Sequence, residues 1–202
     1  MTNIALFGTS ADPPTIGHAA ILKYLTENFD HVAVWAAENP FKRQRTPLSQ
    51  RHQMLQLLID DHQIDPDRIA VHPELSHART WLTLEQAQQT WPDAQFTLVV
   101  GADLVQQITH WYRAKDLLQA VSLLVIPRQG YELQAVDLEP IRRLGTRVQI
   151  AQITPPKAAS SEYRKQGKRP SPYLTPQIQA YIEREQLYAW QTDKTEKAAV
   201  HP

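Results

Sequence analysis

The chain has 202 residues, 42% hydrophobic and 21% charged, a length and composition that predict one folded domain rather than a disordered or collagen-like chain. Its 21 Lys and Arg residues balance its 21 Asp and Glu residues, so no overall field attracts a nucleic acid polymer or an anionic membrane. The absence of cysteine excludes disulfides, thiolate catalysis and cysteine-ligated zinc. The first residues lack a basic leader, and no apolar run is long enough to span a membrane, so we expect a cytoplasmic protein.

Short apolar runs alternate along the chain with segments whose apolar residues recur every three or four positions. The runs are typical of strands buried on both faces of a parallel sheet, and the spacing is typical of helices with one apolar face. In chain order, the sequence predicts a strand at 4–7, a helix from 17 to about 28, a strand at 31–35, a helix capped by Ser49 and reaching 61, a strand at 68–71, a helix at 82–90, a strand at 96–100, a helix at 115–120, strands at 121–126 and 148–150, and a last helix beginning at Thr175 and Pro176.

This alternation predicts an α/β fold, a single doubly wound Rossmann-like domain with a mostly parallel sheet. We expect the domain to span residues 1–190, with a small helical C-terminal part at about 158–190. The polar residues 191–202 are expected to form a flexible tail. Because ligands of such sheets bind at the carboxyl ends of the strands, the loops that follow the strands are the candidate functional segments.

The loop between the first strand and the first helix has the character of an anion site. It runs from Gly8 to His18 and matches neither GxGxxG nor GxxxxGK[ST], so it is neither a dinucleotide fingerprint nor a P-loop. Loop amides and the free N–H groups at the helix start nevertheless converge here. A histidine at a helix start is more often structural than functional, but His18 shares its loop with Ser10 and Thr15, which favours ligand binding.

These residues carry a family resemblance. The segment FGTSADPPTIGH resembles the GTFDPxHxGH signature of the nucleotidyltransferase superfamily, and residues 3–189 as a whole resemble bacterial nicotinate-nucleotide adenylyltransferases. In that family the loop and the signature histidine hold the phosphates of ATP. The resemblance therefore implies ATP contacts for Gly8, Thr9, Ser10, Thr15, Gly17 and His18.

Three further segments match phosphate-binding or ribose-binding motifs of the family. The family's NPxK, GxDL and SSTxIR stretches resemble Asn39-Pro40-Phe41-Lys42, Gly101-Ala102-Asp103-Leu104 and Ser160-Ser161-Glu162-Tyr163-Arg164. The resemblance implies that Lys42 and Arg164 join His18 in neutralising phosphate charge, and it implies ATP contacts for Gly101, Asp103, Ser160, Ser161 and Arg164. The residues alone leave alternatives open. Asp103 could cap the next short helix instead, and the basic stretches 38–51 and 157–169 are either solvated loops or arms over a triphosphate.

Two other segments are expected to bind the second substrate. Residues 78–84 resemble the segment that contacts the pyridine base in the family, and residues 108–112 resemble its tryptophan-bearing loop. This implies mononucleotide contacts for Arg79, Thr80, Thr83 and Trp111. From the residues alone, Trp111 packs on its own domain more readily than on a ligand, and Arg79 points to solvent at least as readily as to a substrate carboxylate.

Four positions depart from the family pattern and indicate a divergent branch. Thr15 replaces the first histidine of HxGH, Ala11 replaces a phenylalanine, Thr9 replaces a glycine, and Arg79 replaces an aromatic residue.

The resemblance implies a reaction in NAD biosynthesis. The adenylyl group of ATP passes to nicotinate mononucleotide, giving nicotinate adenine dinucleotide and pyrophosphate. Nicotinamide mononucleotide and phosphopantetheine are alternative acceptors, and a non-catalytic nucleotide-binding regulator is an alternative of another class. Mg²⁺ is expected to accompany ATP, and no protein metal site is expected because the histidines lack metal-ligand spacing. The oligomeric state stays open, with a homo-oligomer among the possibilities.

Overall fold

The protein is built on one six-stranded parallel sheet. The computed structural model describes residues 1–38, 46–156, 160–166 and 171–188. The strands are β1 (Asn3–Thr9), β2 (His31–Ala36), β3 (Ile69–Val71), β4 (Gln95–Gly101), β5 (Ser122–Ile126) and β6 (Val148–Ile150). Their order in the sheet is β3-β2-β1-β4-β5-β6, and every neighbouring pair is parallel. This is the doubly wound order. Successive strands are added toward one edge of the sheet from β1 to β3 and toward the other edge from β4 to β6, so the switch point lies between β1 and β4.

Helices cover both faces of the sheet. They are α1 (Ile16–Asn28), α2 (Leu48–Asp61), α3 (Thr80–Thr90), α4 (Ala114–Ala120), α5 (Ala135–Arg142), α6 (Ser160–Gln166) and α7 (Pro176–Arg184). One face packs against α1, α2 and α7, with Phe7 of β1 in that core. The other face packs against α3, α4 and α5, with Leu6 in that core. Adjacent residues of β1 thus enter opposite cores, as the continuous apolar run predicts.

The predicted fold class is confirmed, and the predicted strands and most of the predicted helices lie within a few residues of their expected bounds. One cap differs. The sequence predicts Ser49 as the N-cap of the second helix, but α2 begins at Leu48 with Pro47 at the cap position. The carbonyl of Pro47 accepts the N–H of Arg51 at 3.1 Å, which closes the first turn two residues early.

Helix α5 is absent from the sequence prediction because Pro140 lies inside it, where proline normally ends a helix. Its start is fixed by Asp137, whose carboxylate accepts the backbone N–H of Gln134 at 2.8 Å. This is the acidic half of a capping box, and it satisfies one of the donors that a helix start leaves unpaired.

Gly8 has a packing role at the end of β1. A Cβ atom on Gly8 would lie 2.8 Å from two ring carbons of Trp35 on the adjacent strand. The absence of a side chain therefore lets the Trp35 ring cover β1 directly.

In the described ranges, no helix combines the length and apolar character needed to cross a membrane.

Candidate active site

The β1–α1 loop and α1 are locked together by His18. Thr15 is the N-cap of α1, and its backbone N–H donates to His18 Nδ1 at 3.0 Å, while its hydroxyl oxygen lies 2.9 Å from the same nitrogen. His18 thus takes the place that Glu or Gln holds in an ordinary capping box. Thr15 is completely buried, so the structure assigns it to the cap rather than to the ATP contact expected from the sequence.

The capping geometry also fixes the proton on His18. Because Nδ1 accepts the Thr15 N–H, the neutral ring carries its own proton on Nε2, which is left as a donor. Burial, and secondarily the positive charge of Arg128, lower the pKa of His18 to about 4. His18 is therefore neutral near pH 7 in the free protein and does not bring the positive charge that the sequence interpretation gave it.

The lowered pKa of His18 predicts a pH-dependent stability. An unfolded chain takes up this proton near pH 6.5, but the folded protein does so only near pH 4. His18 therefore does not reduce the free energy of unfolding above pH 6.5. Below that pH only the unfolded chain takes up the proton, so the free energy of unfolding falls as the pH drops toward 4. We expect the free energy of unfolding of the wild type to fall by up to about 3 kcal/mol more than that of His18→Asn across this window. Urea unfolding at fixed pH measures it, and parallel curves for the two proteins would contradict the assignment.

A carboxylate and a guanidinium meet beside the switch point of the sheet, at the carboxyl ends of β4 and β5. Asp103 follows β4, Arg128 follows β5, and Arg128 Nη1 donates to Asp103 Oδ2 at 2.7 Å. Both side chains remain partly exposed, and Arg128 is close enough to His18 to affect its pKa. A Cβ atom on Gly101 would lie 2.5 Å from Asp103 Oδ1, so this glycine makes room for the carboxylate. Arg128 is a functional candidate that the sequence interpretation missed.

Arg51 holds the base of the same loop. It is 2% exposed, and Nη1 donates to the carbonyl oxygens of Ser10 at 2.9 Å and Ala37 at 3.0 Å. Nε donates to the carbonyl oxygen of Thr46 at 3.1 Å. Burial lowers the pKa of Arg51, and the nearby Asp12 carboxylate opposes that effect. Arg51 ends the basic stretch 38–51, for which the sequence left two interpretations, a solvated loop or an arm over a triphosphate. In the structure its side chain is buried and donates to three backbone carbonyls.

Helix α6 lies against the β1–α1 loop, as the resemblance implies for its SSTxIR-like segment. Ser160 Oγ donates to the carbonyl oxygen of Pro13 at 2.7 Å, and Arg164 Nη1 donates to the carbonyl oxygen of Asp12. The Asp12 carboxylate lies 3.9 Å from the same guanidinium and accepts the phenolic O–H of Tyr188 at 2.5 Å. The C-terminal part of the domain is therefore fastened to the loop that carries the candidate ATP contacts.

The start of α3 meets the loop that contains Trp111. The Arg79 guanidinium stacks 4.3 Å from the ring centre of Tyr112, and the Arg113 guanidinium stacks 4.2 Å from that of Trp81. Trp111 itself is half-buried and packs against the core on this face. The two predicted mononucleotide segments are thus brought together, with Tyr112 the exposed aromatic ring.

Thr83 does not face this site. It is 1% exposed, and its hydroxyl donates to the carbonyl oxygen of Leu75 at 2.9 Å, so its side chain is committed to the interior. Thr80, in contrast, begins α3 and is partly exposed. Among the described residues, the buried indole N–H of Trp81 has no acceptor.

One of the remaining predicted residues, Lys42, lies outside the described residues. The others lie at the ends of strands or helices near the loop. Thr9 ends β1, Ser10 follows it, Gly17 lies in the first turn of α1, and Ser161 lies in the first turn of α6. Across the described ranges, no three His, Asp or Glu side chains are grouped so as to hold a metal ion.

Comparison with known proteins places this arrangement in a family. The model of the cytidylyltransferase-like family matches residues 6–166. The chain belongs to the cytidylyltransferase-like family. The matched range includes the β1–α1 loop, His18, Asp103, Arg128 and Arg164. The match confirms the nucleotidyltransferase resemblance predicted from the sequence.

Known proteins also match nearly the whole length of this chain. A probable nicotinate-nucleotide adenylyltransferase of Synechocystis sp. is 44% identical over 199 aligned positions, and the match covers 92% of this chain and 98% of the relative. One of the same description from Bacillus cytotoxicus is 30% identical, covering 93% and 99%. A nicotinic acid mononucleotide adenylyltransferase of Plasmodium falciparum, solved as a complex with NaAD, has a TM-score of 0.78 at 22% identity and covers 94% of this chain and 98% of its own. That structure confirms the Rossmann-like fold.

Proposed function

We propose that this chain is a nicotinate-nucleotide adenylyltransferase that makes nicotinate adenine dinucleotide and pyrophosphate from ATP and nicotinate mononucleotide. The observation that carries the proposal is the gathering of His18, Asp103, Arg128 and Arg164 around the β1–α1 loop at the switch point of the sheet. Ligands of doubly wound sheets bind there. The relatives of like length and the same description support the choice of substrates.

The reaction needs no protein nucleophile. A phosphate oxygen of the mononucleotide attacks the α-phosphorus of ATP, the bond from that phosphorus to the bridging oxygen breaks, and pyrophosphate leaves with the electron pair. Catalysis then consists of in-line positioning and stabilisation of charge on the phosphate oxygens. His18 contributes as a neutral Nε2–H donor, while Arg128, Arg164 and Lys42 contribute positive charge.

The acceptor is proposed to bind between the start of α3 and the loop of Trp111. The helix-start amides at Thr80 and Trp81 and the Arg79 guanidinium are all donors. A nicotinate carboxylate is recognised by donors. The exposed ring of Tyr112 and the half-buried ring of Trp111 beside it are available to stack on the pyridine.

Mg²⁺ is proposed to enter as part of the ATP substrate, held mainly by phosphates and water. Among the described residues near the loop, Asp103 is the candidate protein neighbour, because the Asp12 carboxylate is buried and accepts the O–H of Tyr188. A single carboxylate suits an ion that retains most of its water ligands. The cytoplasmic location, the domain limits at 1–190 and the flexible tail at 191–202, which lies outside the described residues, stay predictions. So does the oligomeric state.

The arm that carries Arg164 provides a test of the phosphate site. Its planar guanidinium can grip two phosphate oxygens, and an ammonium cannot. We therefore expect Arg164→Lys to lower kcat/KM for ATP by about tenfold or more although the charge is kept. Arg184→Lys, on the exposed end of α7, is the matched control and should behave as wild type. Wild-type kinetics for both Arg164→Lys and Arg164→Ala would show that this arm does not bind phosphate.

Pyrophosphate release tests the proposed function. The purified chain is mixed with MgATP and, separately, with nicotinate mononucleotide, nicotinamide mononucleotide and phosphopantetheine. We expect release to depend on a pyridine mononucleotide and to be fastest with the nicotinate form. Release with phosphopantetheine alone would replace the proposed acceptor, and no release with any acceptor would favour the non-catalytic regulator.

A further inference from the structure

Two side-chain hydrogen bonds hold the segment that leads from β3 into α3. Thr83, in the first turn of α3, donates from its hydroxyl to the carbonyl oxygen of Leu75 at 2.9 Å. Ser76, the residue after Leu75, donates from its hydroxyl to the carbonyl oxygen of Ala36 at the end of β2, also at 2.9 Å. Successive residues of the segment are thus fastened to different elements, one to α3 and the other to β2.

Leu75 is the residue at which this segment closes on the helix. Its carbonyl oxygen accepts the N–H of His77 at 2.9 Å as well as the Thr83 hydroxyl, so both of its lone pairs are used. Leu75 is 0% exposed and Thr83 is 1% exposed. Because a hydrogen bond is electrostatically stronger in such surroundings than in water, the Thr83 hydroxyl holds the first turn of α3 firmly against Leu75.

His52 of α2 sets the orientation of the Ser76 hydroxyl. Its Nε2 atom lies 3.0 Å from Ser76 Oγ. A hydroxyl has one proton, and that of Ser76 goes to Ala36, so Nε2 carries a proton and donates it to Ser76. Burial, and secondarily the positive charge of Arg51, lower the pKa of His52, which keeps the ring neutral near pH 7. The segment is therefore connected through Ser76 to α2 as well as to β2.

These bonds lie directly beside the donors that are proposed to bind the acceptor. At the start of a helix the first N–H groups have no acceptor within the helix, and here they belong to Thr80 and Trp81. Both residues are partly exposed, so a ligand can reach them. The Thr83 hydroxyl fixes the helix that carries these donors, and the Ser76 hydroxyl fixes the chain three residues before Arg79. Together the two bonds determine where the donors point.

We propose that Thr83, Ser76 and His52 are positioning residues that aim the donors at the start of α3 toward the carboxylate of the nicotinate acceptor. They act from behind the segment and do not touch the substrate. Thr83 holds the helix, Ser76 holds the chain that enters it, and His52 holds the Ser76 hydroxyl. The inference rests on the proposed function for the identity of the acceptor.

Thr83→Val tests this role, because valine has the shape of threonine without the hydroxyl, and the Leu75 carbonyl keeps the N–H of His77. We expect calorimetry to show that nicotinate mononucleotide binds about tenfold more weakly, while the affinity for MgATP is unchanged. Nicotinamide mononucleotide should be affected less, because the donors are aimed at a carboxylate. Thr83→Ser, which keeps a hydroxyl, should restore the binding of nicotinate mononucleotide.

Thr90→Val is the matched control. The Thr90 hydroxyl also donates to a backbone carbonyl, that of Gln86 at 3.0 Å, but at the exposed far end of the same helix. Thr90→Val should bind MgATP and both mononucleotides as the wild type does.

A double-mutant cycle tests whether His52 acts through Ser76, and it does not depend on a variant of Thr83 that folds. Ser76→Ala and His52→Phe should each weaken the binding of nicotinate mononucleotide by about threefold or more. Because His52 acts only through the Ser76 hydroxyl, His52→Phe should have no further effect in the Ser76→Ala protein. An effect of His52→Phe that is equal in both backgrounds would overturn its role.

The remaining outcomes separate this proposal from the proposed function. A folded Thr83→Val protein that binds nicotinate mononucleotide like the wild type would overturn the proposal. Equal weakening of MgATP and both mononucleotides would also overturn it, since a general structural defect acts on all three. If the wild type binds nicotinate mononucleotide but forms no dinucleotide, the proposed function fails while the positioning role stands. A wild type that binds neither mononucleotide would overturn both.

Discussion

Replacing His18 with alanine is expected to lower kcat by about 10²-fold or more, equivalent to roughly 2.7 kcal/mol of transition-state stabilisation. The reason is geometric. His18 Nδ1 is occupied by the Thr15 N–H, so the Nε2–H donor is held in one direction before substrate binds. A preorganised donor of this kind stabilises charge that develops on phosphate oxygens without reorganising during the reaction.

His18→Asn separates the cap from the donor. The asparagine side-chain oxygen can occupy the position of Nδ1 and keep the Thr15 N–H bonded, but asparagine has no atom at the position of Nε2. We therefore expect His18→Asn to unfold like the wild type near neutral pH and to lose activity like His18→Ala. Near-normal turnover by either folded variant would remove His18 from the catalytic groups and leave it as a helix cap.

Preference for nicotinate mononucleotide over nicotinamide mononucleotide is expected to reach at least roughly 10²-fold in kcat/KM. The two acceptors differ by a carboxylate in place of an amide, and the start of α3 offers donors to that group. A charge-assisted contact to the carboxylate contributes about 1.5–3 kcal/mol, and a donor left facing the amide NH₂ adds to the discrimination.

Two variants assign this preference to particular residues. Arg79 stacks on Tyr112 in the free protein, and it is expected to turn from that ring to the carboxylate when the acceptor binds. Arg79→Gln should therefore narrow the ratio of the two kcat/KM values. Trp111→Ala should weaken both acceptors alike, because stacking does not distinguish a carboxylate from an amide. Equal rates with the two acceptors, or a preference for the amide, would overturn the specificity while leaving adenylyl transfer intact.

The fold could be predicted because its signals are local. Continuous apolar runs such as the one in β1 mark buried parallel strands, and Thr175 and Pro176 mark the start of α7 by cap chemistry. Helix α5 escaped prediction because Pro140 is a strong local signal against helix, overruled here by packing of Leu138 and Ile141 in the core.

The candidate site was only partly predictable because its decisive contacts join distant residues. Arg128 reaches Asp103 across 25 positions, and Arg51 reaches Ser10 across 41, so neither pairing leaves a spacing pattern. The burial of Thr83 could not be predicted either. Its hydroxyl donates to the carbonyl oxygen of Leu75, and the sequence does not fix the position of the turn that contains Leu75. The signature loop and α6 could be anticipated because their motifs are contiguous.

The fate of the ATP phosphates tests adenylyl transfer most directly. ATP labelled at the α-phosphorus, and separately at the γ-phosphorus, is incubated with the wild type, Mg²⁺ and nicotinate mononucleotide, and the products are separated. We predict that the α label appears in nicotinate adenine dinucleotide and the γ label appears in pyrophosphate, in equal amounts. A γ label released as orthophosphate with no labelled dinucleotide, or both labels remaining in ATP, would contradict the account.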